Sequence, residues 1–274
     1  MNKNLKLKNY TVIFVLLFTT TISLIPFFWM ISTSLKDSGA IMSIPIEWIP
    51  KEVSFDSYIK IFTKIPFLKS LGNSIFITVF STVITILSSS MAAFVFAKFD
   101  FKFKKVLFTL YLASMMIPIQ VTGIPIFIIL TKLGLTNTYL GVIMPSVFNV
   151  FAIFLLKQYM TNIPNAFIEA AILDGANFVQ VYLKVIMPMS TIPLTTLFVI
   201  NFMNYWNDYF WPLIVMTNPD KMTLPVILSK MNSQYATEYN TLMAGALISL
   251  IPILLVYAFS QKYFIKGLQE GGIK

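Results

Sequence analysis

Two stretches hold the side chains best placed to do chemistry. The first is Glu169-Ala170-Ala171-Ile172-Leu173-Asp174-Gly175-Ala176-Asn177-Phe178, with one carboxylate at each end of the apolar run Ala170–Leu173 and a glycine just after it. The second runs Asn201-Phe202-Met203-Asn204-Tyr205-Trp206-Asn207-Asp208-Tyr209-Phe210-Trp211. Neither is a catalytic constellation. The chain has no histidine, the commonest general base and metal ligand. It has no cysteine, so thiolate metal sites and disulfides are excluded. It also lacks a clustered pair of carboxylates, and no cofactor or metal site is expected. What the second stretch suits is non-covalent recognition. Asn204, Asn207 and Asp208 fall at i, i+3, i+4, on one face of a helix, among Tyr205, Trp206, Tyr209 and Trp211. Amides and a carboxylate match hydroxyls, and flat rings match the apolar C–H face of a sugar. The same residues have a structural reading: Trp and Tyr collect at bilayer interfaces, and Asp208 would then only pair with a lysine at the outer surface.

The elements that must position these residues follow from composition. Of 274 residues, 57% are hydrophobic and only 11% charged, against about 25% charged in a soluble domain. A soluble fold would expose too much apolar surface, so the bilayer is the expected solvent. A helix needs about 20 apolar residues to cross it. Stretches free of Asp, Glu, Lys and Arg cover 9–35, 70–97, 106–131, 133–156 and 239–261, and 185–219 is broken by Asp208 alone. These predict an all-α integral membrane protein with six transmembrane helices. The turn Gly134-Leu135-Thr136-Asn137-Thr138 predicts a tight hairpin between the third and fourth. Lys3, Lys6 and Lys8 precede the first run as in a signal peptide, but the run is long and ends in Phe27-Phe28-Trp29-Met30, so it reads as an uncleaved span. Pro118, Pro125, Pro145, Pro193, Pro212 and Pro252 lie in the runs and predict bends or breaks. Asn73 and Asn149 read as interhelical glue.

The net charge of +9 comes from 20 lysines, with no arginine. Arginine is the preferred reader of phosphates and bases, so nucleic-acid binding is disfavoured and lipid headgroups are the expected counter-surface. Placing both termini in the cytoplasm puts twelve of the 20 lysines inside, including the cluster Lys98, Lys102, Lys104 and Lys105 at a span end. The segment at 36–69 is then outside and the loop 158–186 inside. The chain divides into residues 1–69 (first span and outer segment), 70–262 (a core with the remaining spans) and a tail, 263–274.

The first stretch therefore lies in the long cytoplasmic loop. Pro164 is placed to open a helix. Ile168, Ala171, Ile172, Gly175, Ala176 and Val179 fall on one helical face, nearly flat at Gly175 and Ala176, and Glu169, Asp174, Asn177, Gln180 and Lys184 fall on the other. Gly175 is also a place for the helix to break. Two readings stay open on these residues: a helix lying on lipid, although such helices usually carry a basic polar face, or a helix that docks on another protein.

The stretch "EAAILDGANFVQVYLKVIMP", Glu169 to Pro188, resembles the EAA loop of ABC-importer permeases. Further stretches resemble the carbohydrate-importer, MalG-like members: Asn73-Ser74, Met116–Gln120 (MIPIQ), Leu133–Pro145 (LGLTNTYLGVIMP), Tyr205–Leu213 (YWNDYFWPL), Thr223–Val226 (TLPV) and the tail Gln261–Lys274. The resemblance spans nearly the whole chain. It implies a type I ABC importer permease fold in a bacterial cell membrane. It implies that Glu169, Ala170, Ala171, Asp174 and Gly175 couple the spans to cytoplasmic ATPase subunits, with a second homologous permease and an extracellular solute-binding protein as further partners. Met187 stands where leucine often precedes the family's proline, another unbranched apolar residue. No G-x-x-x-x-G-K-[ST] phosphate loop occurs in the chain, so ATP hydrolysis is expected on a separate chain. The outer segment, with Trp48-Ile49-Pro50 and Phe55-Asp56-Ser57-Tyr58, and residues 217–238 are expected to face the binding protein. A sugar or oligosaccharide is the expected cargo, glycerol 3-phosphate or a related solute the alternative. An ion-coupled secondary carrier is the alternative from another class; it would need intramembrane ionisable groups, of which only Asp208 qualifies.

Overall fold

The computed structural model describes residues 3–37, 46–231 and 238–271. The expected outer segments include 38–45 and 232–237, and the expected tail includes 272–274; these lie outside the described residues. All regular structure among the described residues is helical. In chain order the helices are α1 (Lys3–Ser34), α2 (Asp56–Lys64), α3 (Phe67–Lys98), α4 (Lys104–Ala113), α5 (Ile119–Lys132), α6 (Tyr139–Ile143) and α7 (Val150–Thr161). They continue as α8 (Ala166–Leu173), α9 (Phe178–Val181), α10 (Met187–Met189), α11 (Thr191–Trp206), α12 (Phe210–Val215), α13 (Leu224–Met231) and α14 (Tyr239–Gly271).

Among the described residues, four stretches are long and apolar enough to span a bilayer unaided: Thr11–Ser34, Phe67–Lys98, Tyr139–Thr161 and Tyr239–Gln261. Two more qualify only as bent pairs. Lys104–Met116 and Ile119–Lys132 meet at 102°, and Phe178–Met189 and Thr191–Trp206 meet at 78°. The third apolar run, expected as one span, is thus broken at Pro118, whose fixed φ sits in extended backbone before α5. The tight turn expected after α5 forms. Gly134 and Asn137 take left-handed backbone, the Leu135 N–H donates to the Leu130 carbonyl at 2.8 Å, and Thr138 caps α6 through the Gly141 N–H at 3.1 Å.

A broken helix in hydrocarbon must find partners for the carbonyls it frees, and other side chains of this chain supply them. Pro145 has no N–H for the carbonyl of Gly141, four residues back; the Trp211 indole N–H donates to it at 3.3 Å. Pro193 likewise leaves the Met189 carbonyl, which accepts from the Tyr159 hydroxyl at 3.2 Å. Where the 3₁₀ turn Met144–Val147 gives way to α7, the Ser146 and Val147 carbonyls accept from Thr85 (2.8 Å) and Ser88 (2.6 Å) of α3. Prolines break these helices, and hydroxyls and an indole repair them.

The chain divides into two compact units, Met1–Phe67 with Leu228–Ile251, and Leu68–Ile227 with Pro252–Lys274. In the first, Trp29 and Trp48 meet edge to face at 5.1 Å. Lys36 is 1% exposed, its ammonium bonded to the Glu47 carbonyl and 4.3 Å over the Trp29 ring. Ser34 and Tyr58 share a hydroxyl bond of 3.0 Å. In the second, α3 carries a stripe of buried hydroxyls, including Ser70, Ser74, Thr78, Ser81, Thr85 and Ser89, at helical spacing. Near its start, Asn73 donates to the Asp220 and Met222 carbonyls at 2.9 and 3.1 Å and accepts from Tyr139 at 2.8 Å, while Ser74 accepts from the Leu224 N–H at 2.7 Å. Three stretches far apart in sequence, Asn73-Ser74, Leu133–Pro145 and Thr223–Val226, meet in this clasp. The Asn149 amide donates to Asn201 at 3.3 Å, so both asparagines tie helices together.

Candidate functional site

The segment between α7 and α11 is a helix, a break and a second helix. Pro164 lies just ahead of α8, and the Phe167 N–H bonds back to its carbonyl at 3.3 Å. Helix α8 ends at Leu173, because Gly175 adopts φ +84°, a conformation that costs a side chain about 1–2 kcal/mol. The Gly175 N–H bonds to Ile172 and the Ala176 N–H to Ala171, at 3.0 and 2.9 Å. Asn177 then starts α9 with a reciprocal capping box: its side chain accepts from the Gln180 N–H and the Gln180 side chain accepts from the Asn177 N–H, both at 2.9 Å. Beyond lies a π-helical turn, Tyr182–Ile186, a rare geometry frequent at functional sites.

The break changes which side chains face out. A continuous helix through Val179 would make Gly175 and Ala176 the flat middle of one apolar face. Because the helix stops, Ile168, Ala171 and Ala176 pack instead on the chain's own core of Ala93, Phe94, Leu156, Met160, Val181 and Tyr182. The exposed surface is left with Leu173 (88% exposed), Val179 (65%), Phe178, Phe167 and Ile172 beside Glu169, Ala170 and Asp174. The flat patch is therefore not the outward feature; bulky apolar side chains around it are. Gly175 itself has open space where a Cβ would stand, so backbone conformation alone requires glycine there.

Glu169 also lines an open cavity of about 290 Å³ with Lys98, Asp100, Asn165, Phe99 and Phe178. The sequence placed Lys98 only in a basic cluster at a span end and gave no role to Tyr182, the tyrosine of the π-helical turn. Their partners lie some 65 and 92 residues away, too far for a local pattern to signal.

The second stretch is dispersed. Helix α11 ends at Trp206, with Asn207 at its C-cap, so Asn204, Asn207 and Asp208 do not form one helical face. Asp208 sits in the gap before α12, where its Oδ1 accepts from the Trp211 N–H at 3.3 Å. Asn204 and Asn207 are exposed, and the Asn207 amide bonds to the Met203 carbonyl of its own helix at 2.9 Å. Trp206 is buried, stacked on Phe202 at 6.0 Å. Tyr209 points outward. Three of the seven, Tyr205, Asp208 and Trp211, converge on a cavity of about 370 Å³ with Ser81, Ser146 and Asn149. The Tyr205 hydroxyl shares a 2.8 Å bond with Thr85, and the Trp211 indole is held by Gly141. Among the described residues, the cavity lining carries one carboxylate and no lysine.

Comparison with known proteins adds a family. The sequence model described as binding-protein-dependent transport system inner membrane component matches residues 84–270. The arabinooligosaccharides transport system permease protein AraQ of Halalkalibacterium halodurans is 33% identical over 260 residues, covering 94% of this chain and 93% of the relative. The lactose transport system permease protein LacG of Rhizobium radiobacter is 30% identical, covering 90% of each. Among solved structures, a chain of a bacterial ABC transporter involved in the import of the acidic polysaccharide alginate matches with a TM-score of 0.86 at 25% identity, over 96% of this chain and 99% of that one.

Proposed function

Because the chain belongs to the binding-protein-dependent transport system inner membrane component family, we infer that it is the permease subunit of an ATP-driven importer for a neutral sugar or oligosaccharide. It works by alternating access and makes no covalent bonds. The observation that carries the reading is the Glu169–Val179 segment, where a glycine-broken helix pair turns Leu173 and Val179 outward beside Glu169. An apolar knob with a flanking carboxylate is a suitable docking element for another protein, here a cytoplasmic ATPase subunit that hydrolyses ATP on its own chain. Glu169, Ala170, Asp174 and Gly175 form the outward part of the coupling site, and Ala171 seats it on the chain's own core. On this reading each bent pair is one span, six spans cross the bacterial cell membrane, both termini are cytoplasmic, and a second homologous permease and an extracellular solute-binding protein complete the importer.

The cavity beside Asp208 is the part of the pathway this subunit contributes. Its single carboxylate, hydroxyls and rings suit a neutral sugar better than an acidic one, in contrast to the alginate importer whose fold it shares. Reconstitution in liposomes tests the whole reading. With the second permease, the ATPase and the binding protein present, ATP should drive uptake of arabino-oligosaccharides or lactose, and the chain alone should transport neither. Uptake of glycerol 3-phosphate in their place would reassign the cargo. Uptake by the chain alone on a proton or sodium gradient would overturn the importer reading.

A further inference from the structure

Helix α3 grips the Glu169–Val179 segment from both sides. At its last residue, the Lys98 ammonium donates to the Ile163 carbonyl and, at 3.0 Å, to the Asn165 side chain. These acceptors lie in the turn that leads into α8. Two turns earlier, Ser90 and Tyr182 share a buried hydroxyl bond of 2.7 Å, and Tyr182 opens the π-helical turn that leads out of α9. Between the two grips, aromatic rings fill the gap: Phe94 lies 5.7 Å from Tyr182 and 5.3 Å from Phe99, and Phe99 meets Phe178 edge to face at 5.0 Å. Lys98 also completes α3 electrostatically, since a cation at a helix C-terminus is favoured by the dipole. It has no carboxylate within ion-pair distance among the described residues, so its ammonium serves the turn.

We propose that Lys98 is a positioning residue that makes the end of α3 and the Glu169–Val179 segment one rigid body, so that α3 is the span that moves with the docked ATPase. The inference rests on the docking reading above. The mechanical reason is that α8 and α9 are short and separated by a glycine, so their own helical bonds cannot carry a displacement across the break. Lys98 holds the entry and Tyr182 the exit, and both are fastened to a 32-residue helix long enough to cross the membrane.

Because the chain has no cysteine, paired spin labels can be placed uniquely. Labels at Met91 and Phe167, both exposed, are measured in the full importer assembled with cysteine-free partners, nucleotide-free and trapped with MgATP and vanadate. The 91–167 distance should stay within about 1–2 Å between the two states. Lys98→Met should broaden the distribution and make it state-dependent, and Lys98→Arg should restore it. A change of a full helical turn, about 5 Å, in the unsubstituted chain overturns the proposal, and so does an unaltered distribution in Lys98→Met. Tyr182→Phe, which removes only the hydroxyl held by Ser90, gives the same test should Lys98→Met not assemble. A single label at Leu173 keeps the two readings apart. If it is not immobilised by the ATPase subunit, the docking reading fails; if it is immobilised while Lys98→Met is silent, only the rigid link fails.

Discussion

Around Gly175 the chain turns bulky apolar side chains outward, whereas around Asp208 it gathers polar groups onto a cavity. The first arrangement is made by local backbone. One left-handed residue ends α8, a capping box starts α9, and Leu173 and Val179 are exposed as a result. The second is made by convergence. Tyr205 and Trp211 are held by Thr85 and Gly141, 120 and 70 residues away. Even the two glycines differ. At Gly175 a Cβ would meet open space and only the backbone angle matters, while at Gly141 it would run into the Leu135 carbonyl. The exposed apolar surface is specified by a short run of sequence. The cavity needs several elements in register, and its residues must also satisfy one another.

That contrast can be broken most forcefully at Gly175. Gly175→Leu should leave insertion in the membrane intact and cut ATP-driven uptake about 100-fold, near the upper range of allosteric coupling; normal uptake would remove the segment from the mechanism. Leu173→Asp comes next. It should weaken ATPase association about 30-fold, the loss of one interface hot spot, measured by co-purification and titration, with no change in the melting temperature of the isolated chain. Gly141→Ala should do the converse, costing about 1–3 kcal/mol of stability through overpacking, read by thermal unfolding, while ATPase association is kept. Asp208→Asn should have the smallest effect. It preserves shape and should shift the solute concentration for half-maximal ATPase stimulation about 3–10-fold, the worth of one hydrogen bond. Unchanged values would make Asp208 a helix cap for α12 and no more.

Much of the Glu169–Val179 segment was legible because its determinants are neighbours in the chain. Glu169, Asp174 and Gly175 could be placed in a loop from charge and apolar runs, and the break at Gly175 was foreseeable from the residue type. The inward turn of Ala171 and Ala176 was not. A continuous helix and a broken one share the same spacing up to the glycine, and only the core formed by α3 and α7 decides where the second half points. In the Asp208 stretch the i, i+3, i+4 pattern of Asn204, Asn207 and Asp208 suggested one face. The helix ended two residues too early for that, and Asn207 bonded to its own backbone.

By itself the sequence determined that this chain belongs in a bilayer, because charge-free runs of span length leave no other solvent for their side chains. It determined the tight turn at Gly134–Thr138 and the glycine break, since local backbone conformation follows from residue type. Its motifs also carried the family. Only the tertiary structure decided that Pro118 divides an apolar run at 102°, that Thr85, Ser88, Tyr159 and Trp211 repair carbonyls left by breaks elsewhere, and that Lys98 and Tyr182 bracket the Glu169–Val179 segment. The physical reason is common to all three. A helix break in the membrane is tolerable only where another element satisfies its freed backbone groups, and which element arrives there depends on packing between residues 30 to 70 apart in the chain, not on the order of the residues at the break.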